Sequence, residues 1–205
     1  MWNCRSVVSP LTVSQLREVI KLHSSLLVFL SETRKKKNYL NSVKHWIKLD
    51  NVFVVDPVGK AGSLAILWKR ELQVNKVLFT SFTIELLIED NEAKIDWWCI
   101  CTYASSSVGV RREQWKVATR RSILWGKYWA IMGDLNDIIS NNEKWGGTQR
   151  VKVRFQDFNS FINSNELVDV RYEGIPCIWS NNLGNEGEVK ERIDRILGTA
   201  MLVAK

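Results

Sequence analysis

Residues 128–136 read YWAIMGDLN: five aromatic or apolar side chains in a row, then a glycine, an acid, a leucine and an amide. A short apolar run without alternation is the pattern of a strand covered on both faces. Gly133 lets the backbone turn without a Cβ clash. Asp134 and Asn136 then stand one residue apart at the strand's end. In layered α/β proteins, ligands gather outside strand ends, where loops converge on a rigid support.

The same ending recurs along the chain. Leu26–Leu30 is an apolar run that stops at Ser31-Glu32-Thr33, and Ile95–Tyr103 closes on a phenol. Ile178-Trp179 leads into Ser180-Asn181, and Asp194 sits in the apolar and basic frame of Arg192-Ile193-Asp194-Arg195. Two carboxylates, an amide and a phenol suit a hard cation and a phosphate, because Mg²⁺ takes oxygen ligands and keeps several waters. Each residue also has a plainer explanation. A glutamate after a strand is usually surface, G-D-x-N is commonly an Asx turn, R-I-D-R fits a surface ion-pair ladder, and Tyr103 fits a strand cap. Only their order along one chain raises them above that.

The remaining sequence supplies alternating elements. Thr12-Val13-Ser14-Gln15 fits a capping box, with Leu16, Val19 and Ile20 at helical spacing behind it. The basic segment from Arg34 through Lys48 reads as an exposed helix. Strands are expected at Val52–Val55, Ser63–Lys69, Val74–Phe79, Phe82–Ile88 and Ile95–Tyr103, with a turn at Asp90-Asn91. In Phe82–Ile88 the period-two pattern gives one polar or mixed face. Arg111–Trp125 and Val151–Asn163 read as helices on either side of the Tyr128–Met132 strand, with a glycine turn at Gly146-Gly147. Short strands follow at Val168–Val170, Cys177–Ser180 and Val189–Ile193. Interleaved strands and helices define an α/β layered domain, read as one domain over residues 1–205.

Lysines and arginines number 29 against 22 acids, a net charge of +7 with apolar residues at 45%. That balance excludes a chain disordered by composition and suits polyanions or a generic soluble surface alike. No C-x-x-C exists, and His23 and His45 lie far from the four cysteines, so reduced core thiols are expected rather than a zinc site. Ten tryptophans are expected mostly in the core. A tryptophan-rich single-strand binder would need them exposed. Neither a signal peptide nor an apolar span is evident, so a reduced intracellular compartment, nucleus or cytoplasm, is the expectation.

The stretches WNCRS (2–6), VFLSET (28–33), GSLAILWK (62–69), CTYASS (101–106), RREQW (111–115), IMGDLNDII (131–139), EKWGG (143–147), GIPCIWSNN (174–182) and ERIDRIL (191–197) together resemble the endonuclease/exonuclease/phosphatase, or DNase I-like, superfamily. The likeness is to the plant subgroup related to LINE-type retrotransposon endonucleases. The resemblance implies a four-layer α/β/β/α sandwich and Mg²⁺- or Mn²⁺-dependent phosphodiester hydrolysis. It implies Glu32 as metal ligand with Asn3 beside it, and Asp134 as the group that orients or deprotonates water. Asn136 and Tyr103 would hold the phosphate, Asn181 would line the cleft, and Asp194 would orient a catalytic histidine. Arg111, Arg112 and, with less support, Arg34–Lys37 become candidate phosphate contacts, with nucleic acid as partner and DNA ahead of RNA. Family members end on a Ser-Asp-His strand that these residues lack, and their first strand starts earlier. The expectation is therefore a fold incomplete at both ends. Its hydrolysis would be weak or absent, the alternative being an inactive remnant that binds nucleic acid through its basic surface.

Overall fold

The buried run at the centre of the sequence is a strand, and it is longer than its apolar part. In the computed structural model, residues 2–3, 10–56, 63–170, 179–181, 183–184 and 187–205 are described. Expectations for Cys4, Arg5, Ser6, Gly59, Gly62, Cys177 and Ile178 fall outside them. The chain divides into two units, Met1–Asp96 and Trp97–Lys205.

The first unit comprises β1 (Trp2–Asn3), α1 (Pro10–Leu22), β2 (Leu27–Ser31), α2 (Lys37–Trp46), β3 (Asn51–Val55), β4 (Leu64–Trp68), β5 (Val74–Phe79) and β6 (Thr83–Asp90). Four strands form a sheet in the order β1-β2-β4-β3. β1 runs parallel to β2, and the other pairs are antiparallel. Val13, Leu16 and Ile20 of α1, with Leu40, Val43 and Ile47 of the α2 segment, make a core with Val28, Leu30, Ala65 and Leu67. Their three- and four-residue spacing puts each set on one helical stripe. Leu40 and Val43 are fully buried, each contributing about 1.5–3 kcal/mol relative to exposure. Phe29, Leu64 and Ile66, on the other face, are buried too. There β4 lies close to β6, and Phe53 meets Phe79 of β5 at 5.5 Å. β5 pairs antiparallel with β6 through a register shift between Val74 and Lys76.

Two expectations change here, and a third gains a detail that the sequence left open. α1 begins at Pro10, so Thr12 and Gln15 lie inside its first turns rather than capping it; proline is well suited to a first turn, where its missing N–H has no partner to lose. α2 is not simply exposed, because Leu40 and Val43 anchor it. The polar face of β6 is buried, with Thr83 and Glu85 enclosed and the Thr83 hydroxyl donating to Glu85 at 3.0 Å. The expected turn after β6 is present, the Asp90 carboxylate accepting the N–H groups of Glu92 and Ala93.

The second unit is built on β7 (Ile95–Tyr103), α3 (Val108–Trp125), β8 (Trp129–Asp134), β9 (Lys144–Trp145), α4 (Gln156–Ser164), β10 (Leu167–Asp169), β11 (Trp179–Ser180), β12 (Lys190–Glu191), β13 (Asp194–Thr199) and α5 (Ala200–Val203). β7 and β8 are parallel, which requires the crossover that α3 provides. β13 sits between β8 and β10, antiparallel to both. β11, β12 and β9 form a small antiparallel sheet. Helices cover one face of the larger sheet: Trp125 packs on Trp129 at 4.9 Å, Trp115 packs against both Phe158 and Phe161 at 5.2 and 5.0 Å, and the Arg195 guanidinium sits 5.5 Å over Phe158.

β8 runs through Gly133 to Asp134, so the glycine does not turn the chain out of the strand as expected. Its φ is +147°, and a Cβ there would lie 1.9 Å from the Thr102 carbonyl oxygen. Only glycine lets β8 approach β7 this closely while adopting that conformation. The expected helix at 151–163 is a tight turn over Lys152–Phe155 followed by α4. The strand expected at Val189–Ile193 is reduced to β12, and β13, which was not expected, follows at Asp194–Thr199. Trp98, Trp115, Trp125 and Trp129 are buried, whereas Trp46 and Trp145 are exposed. No helix among the described residues is long and apolar enough to cross a membrane.

Candidate active site

Strand register gathers three of the candidate residues. Tyr103 ends β7 opposite Asp134 at the end of β8, and Asp134 in turn stands opposite Asp194 at the start of β13. Side chains paired across adjacent strands share a face, so phenol and both carboxyls form one row along the sheet edge. Backbone bonds fix the row: Ala104 N–H donates to the Asp134 carbonyl, and Leu135 N–H to the Ile193 carbonyl, each at 2.8 Å.

Asn136 joins it through the turn that follows. Its backbone N–H donates to Asp134 Oδ1 at 3.0 Å, so the plain Asx-turn reading of G-D-x-N is correct as local structure. Its side-chain Nδ2 donates to the Ala104 carbonyl at 2.7 Å, tying the loop after β8 to the loop after β7. Asn136 has a φ of +49°, a left-handed conformation that asparagine tolerates better than most residues.

The electrostatics of the row are uneven. Asp134 is buried, and burial raises the Asp194 carboxyl from 3.8 to about 6. Two acids directly opposite one another are an unfavourable cross-strand pair. Strongly perturbed carboxyls cluster at functional sites, though structural networks produce them too.

In the first unit, Asn3 stands opposite Ser31 across the β1–β2 pair. Glu32 follows β2 with a φ of +55°, outside the range an ordinary side chain prefers, and such strained positions concentrate at functional sites. The next residue holds the turn: Thr33 N–H donates to the Ser63 carbonyl at 3.3 Å, and the two hydroxyls are hydrogen-bonded.

The arginine and Asn181 expectations look different in the structure. Arg111 is buried, its guanidinium bonded to Asp137 at 3.0 Å and to the Ser105 carbonyl at 2.6 Å. It is enclosed rather than offered to a phosphate. Arg112 is half-exposed and paired with Asp157 at 2.8 Å. Asn181 closes its own loop, accepting from Val189 N–H at 3.0 Å and donating to the Gly187 carbonyl at 2.9 Å. Arg34, Lys36 and Lys37 are exposed, while Lys35 lies over the Tyr39 ring at 5.2 Å.

Sequence reasoning missed the charges beside the row. Asp137 receives both Arg111 and Arg150. Glu191 receives Arg150 and Lys144, and Glu143 and Asp169 receive Arg192 and Arg195. The expected ladder at R-I-D-R is therefore a largely buried network. Its partners lie 13 to 52 residues apart, so no local spacing could have revealed it.

Among the described residues no cluster of three or more histidines, cysteines or acids is placed to hold a metal. The candidate donors are all oxygens, which fits a hard ion bound through one or two carboxylates and water rather than zinc. Cys99 and Cys101 are buried and free, and burial pushes the Cys101 thiol well above its ordinary value, as reduced core thiols require.

No protein-family model and no curated protein matches the chain. Solved structures do, and they are proteins of the endonuclease/exonuclease/phosphatase, or DNase I-like, kind. An apurinic/apyrimidinic endonuclease from Archaeoglobus fulgidus aligns with a TM-score of 0.76 at 15% identity, over 99% of this chain and 86% of that one. The 3′-5′ exonuclease NExo from Neisseria meningitidis aligns with a TM-score of 0.74 at 14% identity, over 99% and 87%. The endonuclease domain of TRAS1, a telomere-specific non-LTR retrotransposon, aligns with a TM-score of 0.64 at 14% identity, over 96% and 83%. At these identities the likeness shows the fold. The chain has the mixed α/β DNase I-like fold, with two large sheets and helices.

Proposed function

We propose that this chain is a divalent-metal-dependent phosphodiester hydrolase of endonuclease type, related to the plant LINE-type subgroup and acting on nucleic acid, DNA before RNA. The observation that carries the reading is the row Tyr103–Asp134–Asp194 in strand register, with Asn136 bonded back to Ala104. The solved structures of the same fold include NExo, described as a 3′ phosphatase bound to a product DNA hairpin.

In this reading Glu32 would hold Mg²⁺ or Mn²⁺ with Asn3 beside it, and the ion would neutralise charge developing on the phosphate. Asp134 orients the attacking water and accepts its proton. The Tyr103 hydroxyl and an Asn136 N–H donate to phosphate oxygens where negative charge grows. Asp194 would orient an imidazole, were one supplied, as an acid does in a Ser-His-Asp arrangement. The 205 residues hold two histidines, one after α1 and one within α2, and no Ser-Asp-His. Lacking that general acid or base, they would turn over about 10²–10⁴-fold more slowly than a complete site.

Plasmid nicking tests this. Slow Mg²⁺- or Mn²⁺-dependent nicking is expected, abolished in Asp134→Ala and accelerated by imidazole added to solution. Nicking that persists undiminished in Asp134→Ala would refute the assignment. A second reading, an inactive remnant that binds nucleic acid, draws on the charge distribution. The five buried or half-buried cations of the second-unit network face four acids, so most of the net +7 remains for the surface. DNA binding without nicking at any imidazole concentration would favour it.

A further inference from the structure

We infer that Arg111 and Asp137 form a buried clamp that sets the spacing between the loop after Tyr103 and the loop after Asp134, making both of them positioning residues for the proposed phosphodiesterase site. The inference rests on that functional reading for its purpose, and on the following contacts for its existence.

Arg111 lies one turn into α3, directly after the loop 104–107. Its Nη1 donates to the carbonyls of Ser105 and Ser106 at 2.6 and 3.1 Å, and its Nε donates to Asp137 Oδ2 at 3.0 Å. Both side chains are only 5% exposed. Asp137 Oδ1 accepts its neighbour's backbone N–H, that of Ile138, at 3.1 Å and Arg150 Nη1 at 3.3 Å. One guanidinium thus grips the first loop by two carbonyls, and one carboxylate grips the second loop from within.

The clamp is itself braced. Arg150 Nη2 reaches Glu191 on β12 at 2.5 Å, and Lys144 on β9 reaches the same carboxylate at 3.0 Å. Arg150 and Asn141 exchange two further bonds, each of 2.9 Å. Gln114 on α3 adds a bond to Ser105 N–H at 2.8 Å. Of the functional side chains, Asn136 reaches across the same gap, its Nδ2 donating to the Ala104 carbonyl at 2.7 Å. A planar fork with fixed donor directions suits this three-way grip, and a lysine ammonium at the same place does not.

A buried pair can stabilise the fold without positioning anything, so the test separates the two roles. Replacing a buried ion pair by apolar residues of similar volume is often neutral for stability. The double variant Arg111→Met/Asp137→Leu therefore removes the clamp without leaving either member's charge alone, and Arg150 keeps its Glu191 carboxylate. Three readouts apply: thermal melting, proton exchange of the Asn136 side-chain amide by NMR, and kcat and KM for Mn²⁺-dependent nicking with imidazole present. The expected result is a retained fold with modestly lower melting, markedly faster Asn136 amide exchange, and kcat lower by up to about 10²-fold with KM little changed, as small misplacements of reacting groups produce. Should the double variant fail to fold, Arg111→Lys is read by the same amide signal. Retained amide protection in the folded variant overturns the clamp. If the wild-type chain shows no hydrolysis, the functional reading fails, and amide exchange alone still decides whether the clamp exists.

Discussion

Asp194 and Arg195 are neighbours on β13, and they meet burial in opposite ways. Arg195 is fully enclosed, yet its guanidinium reaches Glu143 at 2.6 Å and Asp169 at 3.4 Å and donates to the Arg192 carbonyl. Opposite charge and hydrogen bonds offset its desolvation. Asp194 points to the other face, as successive strand residues must, and there burial lifts its carboxyl to about 6. One face of a single strand carries charge compensated inside the fold, and the other carries charge that the fold leaves costly. The second kind is where a ligand or a catalytic partner supplies what the protein does not.

Breaking the compensated side should have the larger effect. Glu143→Gln leaves Arg192 and Arg195 short of a carboxylate, and a loss of about 3–5 kcal/mol in urea unfolding is expected. An unchanged midpoint would show that Asp169 alone suffices.

Asp194→Asn should act with the opposite sign. The folded carboxyl titrates near 6 against 3.8 for the ordinary group. Its contribution to stability is therefore full below the lower value and lost as pH rises through the upper one. At about pH 7.5 the buried carboxylate costs up to ~3 kcal/mol, so the variant should be more stable than wild type there, and by about pH 3.5 the difference should vanish. Urea midpoints at the two pH values check this, and equal gains at both would place the cost elsewhere.

The smallest change in stability is expected at Arg112. Its pair with Asp157 has side chains 51% and 34% exposed, and solvent screens such a pair so that it adds little to stability. If Arg112 meets a phosphate, Arg112→Gln should flatten the log–log salt dependence of duplex DNA binding by about 0.9. An unchanged slope would remove it from the interface.

The apolar skeleton was legible in the sequence. β5 and β7 match their expected bounds, and Trp129, Ala130 and Ile131, the middle of the run 128–132, are buried as its composition requires. Periodicity reports burial, and these elements are buried by apolar side chains. It fails where burial is achieved by charge or hydrogen bonding. Thr83 and Glu85 form a polar face whose burial the alternation does not report, and the pairs made by Arg192 and Arg195 stay hidden because their partners are remote in sequence. Gly133 was read as a turn because a close approach between strands leaves the same mark. For the site, the sequence indicated Tyr103, Asp134, Asn136 and Asp194, which register and one side-chain bond draw together. It also suggested Arg111 for the wrong reason: an arginine near a candidate site looks like a substrate contact until its burial and its acid are seen.

The register shift in β5 bears on association between molecules. Two residues facing one bend a strand and increase its twist, and Lys76 lies exposed beside the irregularity. A bent margin bearing an ammonium is a poor template for another chain's backbone, so straightening it, by deleting Asn75 and replacing Lys76 with valine, would turn a guarded border into a seed for fibrous aggregation.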